Sequence, residues 1–253
     1  MDVLSAADTK WKKAMDVLLA AGRIVIALDG LKKERCWELV SQLMKSSAPP
    51  RTFKIHDLWD REGPQVVREL VRAGAPWVWA DLKLKDIPVT VGHRARAVRD
   101  AGATMLTVHA SGGVEMMQSA VENGPPWILA VTALTSLSEE EVHLLHGQPV
   151  KAAVLYQARL AKLAGVRGIV CSPQEVAVLA ERPELKGLEF FTPGIRPAGQ
   201  DAADQKRVDT PASAIKAGAT HLVIGRSITE ALDPVAAFDA IVAEIAQATD
   251  ERR

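Results

Sequence analysis

Short apolar runs alternate with longer amphipathic segments along almost the whole chain. The short runs have the length of strands that are buried on both faces, and the longer segments carry apolar residues at helical spacing. The predicted strands are Arg23–Leu28, Thr52–Ile55, Trp77–Leu82, Thr104–Val108, Trp127–Thr132, Gly168–Cys171, Leu188–Thr192 and His221–Ile224. The predicted helices are Ala7–Ala20, Lys32–Lys45, Pro64–Ala73, Val89–Ala101, Gly113–Glu122, Val150–Leu163, Gln174–Ala180, Pro211–Ala217 and Pro234–Ala246.

Eight strand and helix alternations without a long linker predict one α/β domain that spans residues 1–253. The expected fold is a (β/α)8 TIM barrel with an extra N-terminal helical extension over residues 1–21. An open sheet of about six to eight strands is the alternative. In a barrel, functional residues lie at the carboxyl ends of the strands. The residues that follow each apolar run are therefore the first candidates for a site.

The overall charge excludes some classes of partner. Lysine plus arginine and aspartate plus glutamate number 31 each, so no general basic field is available for nucleic acid or an anionic membrane. No apolar run approaches the roughly 18 residues of a membrane span. The first turns are amphipathic and carry acids, which argues against a targeting peptide and favours a cytoplasmic location. Cys36 and Cys171 lack metal-ligand spacing, and we expect both to be reduced and structural.

Four charged residues end three neighbouring predicted strands. Asp29 follows the first strand, Lys54 lies in the second, and Asp81 and Lys83 belong to the third. If the barrel is correct, they meet at one mouth, as a shared functional site or as a structural ion-pair network. A lysine between two aspartates stays protonated, which suits a general acid rather than a Schiff-base amine. No two histidines have ligand spacing, although acids such as Asp81 and Asp86 at a barrel mouth also bind magnesium in some proteins.

The end of the chain carries a candidate phosphate site. Gly225-Arg226-Ser227 follows the last strand as a glycine-led turn into a helix, where backbone N–H groups favour a phosphate. Arg226 adds a planar guanidinium that matches phosphate oxygens. The polar stretch after the seventh strand, residues 193–207, is interpreted as a lid over this site, with a surface insertion as the alternative.

These residues occur in an order that resembles a known family. The matching segments are ALD at 27–29, FK at 53–54, DLKLKDIP at 81–88, VHASGG at 108–113, AVTALTS at 130–136, TPGIR at 192–196, DQ at 204–205 and IGR at 224–226. Together they resemble the bacterial-type orotidine 5′-monophosphate decarboxylases, from the first strand to the last. The resemblance implies decarboxylation of orotidylate to uridylate with no metal and no cofactor.

The resemblance also implies residue roles. Lys83 corresponds to the proton donor to C6 of the pyrimidine, within a charged tetrad completed by Lys54, Asp81 and Asp86. The residues implied in substrate binding are Asp29 and Lys54 at the ribose, Thr135 at the pyrimidine, Arg196, Gln205, Gly225 and Arg226 at the phosphate, and Thr90. In the family, the equivalents of Asp86 and Thr90 reach into the neighbouring subunit's site, so a homodimer with shared active sites is expected.

Some positions depart from the family pattern. Lys85 stands where histidine is common, Val89 where asparagine is common, and His56-Asp57 where glycine and an apolar residue are usual. None of these departures removes a member of the tetrad. Two alternatives remain at this point: a magnesium-dependent sugar-phosphate decarboxylase or aldolase of the same barrel superfamily, and a barrel that binds nucleotide without catalysis.

Overall fold

Eight parallel strands close into a barrel in sequence order in the computed structural model, which describes residues 6–197 and 209–250. The strands are β1 Ile24–Ala27, β2 Thr52–Ile55, β3 Trp77–Leu84, β4 Met105–His109, β5 Trp127–Val131, β6 Gly168–Val170, β7 Glu189–Thr192 and β8 His221–Ile224. Strand β1 pairs with both β2 and β8, which closes the sheet. The predicted (β/α)8 fold is confirmed, and the open-sheet alternative is wrong.

Helices surround the barrel in the predicted order. They are α1 Ala6–Gly22, α2 Lys33–Leu43, α3 Asp57–Glu62, α4 Gln65–Arg72, α5 Pro88–Asp100, α6 Val114–Asn123, α7 Glu139–His146, α8 Val150–Leu163, α9 Pro173–Ala180, α10 Pro211–Ala217, α11 Arg226–Thr229 and α12 Pro234–Asp250. Three short helices, α3, α7 and α11, were not predicted. Each buries only one or two side chains, so an apolar periodicity hardly develops.

Two apolar layers hold the strands in place. Inside the barrel, Val25, Trp79, Met105, Leu129, Phe191 and Val223 form a small buried cluster. Outside it, the other face of each strand joins a much larger core beneath the helices, to which Val78 and Ala80 contribute. Successive strand residues point to opposite faces, and both faces are buried. The strands are therefore apolar on both sides and form continuous apolar runs in the sequence.

Strand β3 continues further than the sequence predicts. The predicted strand ends at Leu82, but the observed strand ends at Leu84. Its pairing with β4 shifts register between Ala80 and Leu84, and Lys83 has a left-handed φ of +47°. The strand is therefore irregular over residues 81–83, where the register shift places extra residues of β3 opposite β4.

The N-terminal helix α1 lies outside the barrel and packs mainly against α12. Ala20 and Ala21, in its last turns, are buried. Its exposed side is also apolar, with Trp11, Met15, Leu18 and Leu19 each at least 40% exposed. No helix in the described ranges is both long enough and apolar enough to cross a membrane.

Candidate active site

A cavity of about 520 Å³ opens at the carboxyl ends of the strands. Its lining includes barrel-interior residues such as Trp79, Val170 and Val223. Most of the predicted site residues that the structure describes line it, namely Asp29, Lys54, Asp81, Lys83, Thr135, Arg196, Gly225 and Arg226. These side chains share one cavity because the residues that carry them follow the carboxyl ends of the barrel strands or lie close to them.

Four charged side chains form a continuous chain at one wall of this cavity. The ammonium of Lys54 contacts the carboxylate of Asp29 and lies 3.0 Å from Oδ2 of Asp81. The ammonium of Lys83 lies 2.9 Å from the same oxygen of Asp81. Positive and negative groups alternate along the chain, so no charge is buried without a partner.

Burial and neighbouring charge act in opposite directions on the two inner members. Burial alone would lower the pKa of Lys54, but the attraction of Asp81 and Asp29 outweighs it and leaves that pKa raised. Burial alone would raise the pKa of Asp81, but Lys54, Lys83 and a hydrogen bond from Thr107 hold it well below the usual range. Both groups are therefore charged at neutral pH.

The same cavity is also lined by arginine and glycine residues from the ends of β7 and β8. Gly225 and Arg226 follow β8, and Asp29 follows β1. Because β8 pairs with β1, these residues lie at neighbouring strand ends. Arg196 follows β7, and its backbone N–H donates to the carbonyl oxygen of Asp209 at 2.9 Å. Residues 194–196 thus pair with Asp209 at the base of the loop that the sequence predicts as a lid. Most of that loop, including Gln205, lies outside the described residues.

Asp86 and Thr90 do not line the cavity of their own chain. The carboxylate of Asp86 is exposed and accepts a hydrogen bond from the backbone N–H of Ile87 at 2.7 Å. The structure therefore joins Lys54, Asp81 and Lys83 of the predicted tetrad within one chain, but not Asp86. Ile87 is extended, which is the conformation that a following proline favours, and α5 begins directly at Pro88.

Burial changes the pKa of three other side chains, those of His109, Cys36 and Cys171. Burial, together with the positive charges of Lys85 and Lys83, lowers the pKa of His109. Burial raises the pKa of the Cys36 thiol to about 12 and that of Cys171 well above its usual value, and both thiols are free. In the part of the chain that the structure describes, no group of three or more histidine, cysteine or acidic residues has the arrangement of a metal site.

Comparison with known proteins decides the family. The profile of the orotidine 5′-phosphate decarboxylase / HUMPS family matches residues 22–241. This chain belongs to that family. The match begins at Gly22, the last residue of α1, so the barrel is the shared part and most of the N-terminal extension lies outside it.

Close relatives agree with the family assignment. Orotidine 5′-phosphate decarboxylase of Halorhodospira halophila is 44% identical over 89% of this chain and 97% of its own length. The enzyme of the same name from Nitrosococcus oceani is 44% identical over 88% of this chain. Among solved structures, the orotidine 5′-phosphate decarboxylase of Lactobacillus acidophilus has a TM-score of 0.73 at 34% identity and covers 88% of this chain and 98% of its own.

The sequence did not predict three residues that contact Asp81 or line the cavity. Thr107, within β4, donates to Oδ1 of Asp81 at 2.7 Å. His56 bonds to the backbone carbonyl of Asp81, and the sequence marks it only as a departure from the family pattern. Trp79, which lines the cavity, has a buried indole N–H with no hydrogen-bond partner among the described residues. The sequence shows Thr107 only as a polar residue within an apolar strand, which does not distinguish a site residue from an ordinary strand threonine.

Proposed function

We propose that the protein decarboxylates orotidine 5′-monophosphate to uridine 5′-monophosphate, with no metal and no organic cofactor. The observation that carries this proposal is the alternating chain of Asp29, Lys54, Asp81 and Lys83 at the wall of a cavity that two arginines also line. Family membership supplies the substrate class, because the curated relatives are named for this reaction.

Lys83 is proposed as the proton donor. The bond between C6 and the carboxylate carbon breaks, carbon dioxide leaves, and the electron pair remains on C6. The ammonium of Lys83 then gives its proton to C6, and solvent restores the proton on the lysine. Because Asp81 is ionised and its Oδ2 lies 2.9 Å from the Lys83 ammonium, the ion pair orients Lys83 in the cavity.

One ammonium does not supply the whole rate enhancement. At about 4 Å and an effective dielectric constant of about 20, a pair of unit charges interacts by about 4 kcal/mol. Contacts to ribose and phosphate must add to this by orienting the ring and excluding water. Asp29 and Lys54 are proposed for the ribose, Thr135 for the pyrimidine, and Arg196, Gln205, Gly225 and Arg226 for the phosphate end.

A homodimer with shared sites is part of the proposal. Asp86 and Thr90 are proposed to complete the cavity of the partner subunit, since they do not line their own. Ile87 and Val89, beside them, are 66% and 64% exposed. Burial of these two apolar side chains against a second copy is favourable. The cytoplasmic location expected from the sequence stays a prediction.

The Lys83→Ala variant tests the assignment of the proton donor. The purified wild type should remove orotidylate, followed by the loss of its absorbance, whereas Lys83→Ala should be slower by at least about a thousandfold because it lacks the acid and the charge at C6. Uridylate binding, measured by calorimetry, should persist in the variant. Lys45→Ala, at an exposed lysine after α2, is the control and should match the wild type. If wild type and Lys83→Ala are equally inert while both bind uridylate, the protein is a binding module.

A further inference from the structure

The backbone of β3 is irregular at the two residues that carry the central charges. Its pairing with β2 ends at Ile55 opposite Ala80, and its pairing with β4 shifts register between Ala80 and Leu84. Lys83 is the only described non-glycine residue with a positive φ. A left-handed conformation is unfavourable for a residue with a Cβ, so neighbouring groups must hold it.

On the β2 side, a histidine ring takes the place of a ladder partner. His56 follows the last residue of β2, and its backbone turns away into α3 with φ −128° and ψ −89°. Its ring Nδ1 lies 2.7 Å from the carbonyl oxygen of Asp81. A carbonyl oxygen only accepts hydrogen bonds, so Nδ1 carries the proton in this contact. The ring therefore anchors the Asp81 peptide after the strand pairing has ended.

On the β4 side, the hydroxyl of Thr107 serves the same segment. Its Oγ1 accepts from the backbone N–H of Lys83 at 3.1 Å and donates to Oδ1 of Asp81 at 2.7 Å. Thr107 is fully buried, so neither bond competes with water. His56, directly after β2, and Thr107, within β4, thus support the bulge from its two sides, and both contact the segment from Asp81 to Lys83.

We infer that His56 is a positioning residue for catalysis, which together with Thr107 fixes the Asp81–Lys83 bulge in the conformation that aims both side chains into the cavity. The inference rests on the proposed function only for its effect on turnover. His56 does not line the cavity and contacts Asp81 only through its backbone carbonyl. Its removal should therefore affect the alignment of Lys83 in the transition state more than the binding of nucleotide.

Paired substitutions at His56 separate this role from a general structural one. His56→Ala removes the donor, whereas His56→Asn retains an N–H close to the position of Nδ1. His56→Ala should lower kcat about tenfold, equivalent to about 1.4 kcal/mol of transition-state stabilisation, with KM and uridylate affinity changed less than about twofold. His56→Asn should recover most of that loss. His143→Ala, at an exposed histidine of α7, is the control and should leave kcat unchanged.

Amide hydrogen exchange provides a readout that does not need activity. The Lys83 N–H should exchange faster in His56→Ala than in the wild type, and His56→Asn should restore its protection, while the urea midpoint of unfolding changes little. Unchanged kcat and unchanged Lys83 protection in His56→Ala would overturn the inference. An equal loss of kcat in both His56 variants, or a loss that follows a lower urea midpoint, would also overturn it. A wild type that is inert toward orotidylate overturns the proposed function instead, and the exchange data then decide the role of His56 by themselves.

Discussion

Lys54 occupies the most enclosed position among the charged residues of the site. Its side chain is 7% exposed, and its ammonium contacts two carboxylates from different strands. Its partners differ in exposure, since Asp81 is nearly as enclosed while the side chain of Asp29 is 41% exposed. Of the two carboxylates that contact Lys54, that of Asp29 is therefore the more accessible to a ligand. The carboxylate of Asp81 contacts both Lys54 and Lys83 and orients them.

His221 lies at the opposite end of the barrel, at the start of β8. Its ring stacks on Phe191 with centroids 4.3 Å apart, and it makes a T-shaped contact with Trp127 at a centroid distance of 6.0 Å. Burial, together with the positive charges of Arg23 and Arg167, lowers the pKa of His221 to about 4. Glu189 Oε2 lies 3.3 Å from its Nδ1, but the other oxygen of that carboxylate binds Arg167. Burial therefore prevails, and the ring is neutral.

The neutral ring of His221 makes stability depend on pH. As the pH is lowered, His221 of the unfolded chain, with an ordinary pKa of about 6.5, binds a proton at a higher pH than His221 of the folded chain. Protonation therefore favours the unfolded chain, and the free energy of unfolding, which is fully retained above about pH 6.5, decreases as the pH falls toward 4. The loss amounts to about 3 kcal/mol, at about 1.4 kcal/mol for each pH unit. Urea unfolding between pH 7 and pH 4.5 should show a flatter profile for His221→Phe than for the wild type. Parallel profiles would contradict this assignment.

At the scale of elements, the sequence predicts the strands well and the irregular features poorly. The eight apolar runs were sufficient to predict the eight strands, because a strand that is buried on both faces forms a continuous apolar run in the sequence. Helix α7 was missed although Ser138 and Glu141 form a capping box, which is a readable signal for a helix start. The bulge in β3 was not predictable, because a left-handed lysine depends on the supports from His56 and Thr107 rather than on its own residue type.

The same limit applies to the candidate site. Asp29, Lys54, Asp81 and Lys83 could be placed together from the strand-end rule alone, and the structure brings them into contact. Thr107 could not be assigned, because threonine is common in strands for steric reasons that have nothing to do with catalysis. Strand periodicity also cannot show whether Asp86 reaches a partner's site, because that depends on whether and how two copies meet.

At the scale of the whole molecule, the proposed dimer predicts complementation between two inactive variants. Lys83→Ala and Asp86→Asn should each be nearly inactive alone. In a mixed dimer, one site combines Lys83 of one chain with Asp86 of the other, so a random mixture should regain roughly a quarter of wild-type activity. Mixtures should be formed by joint refolding or coexpression, with each variant carried through alone as the control. If the mixed sample is no more active than either variant, Asp86 does not act in the partner's site.

The central proposal is that the charged side chains of the cavity catalyse the decarboxylation of orotidylate without a metal ion. Its most direct test is the rate of loss of orotidylate absorbance by the purified wild type, measured with and without an excess of EDTA. We predict the same rate in both samples and uridylate as the product. Loss of activity in EDTA that magnesium restores would contradict the claim and would favour a metal-dependent reaction at the same barrel mouth.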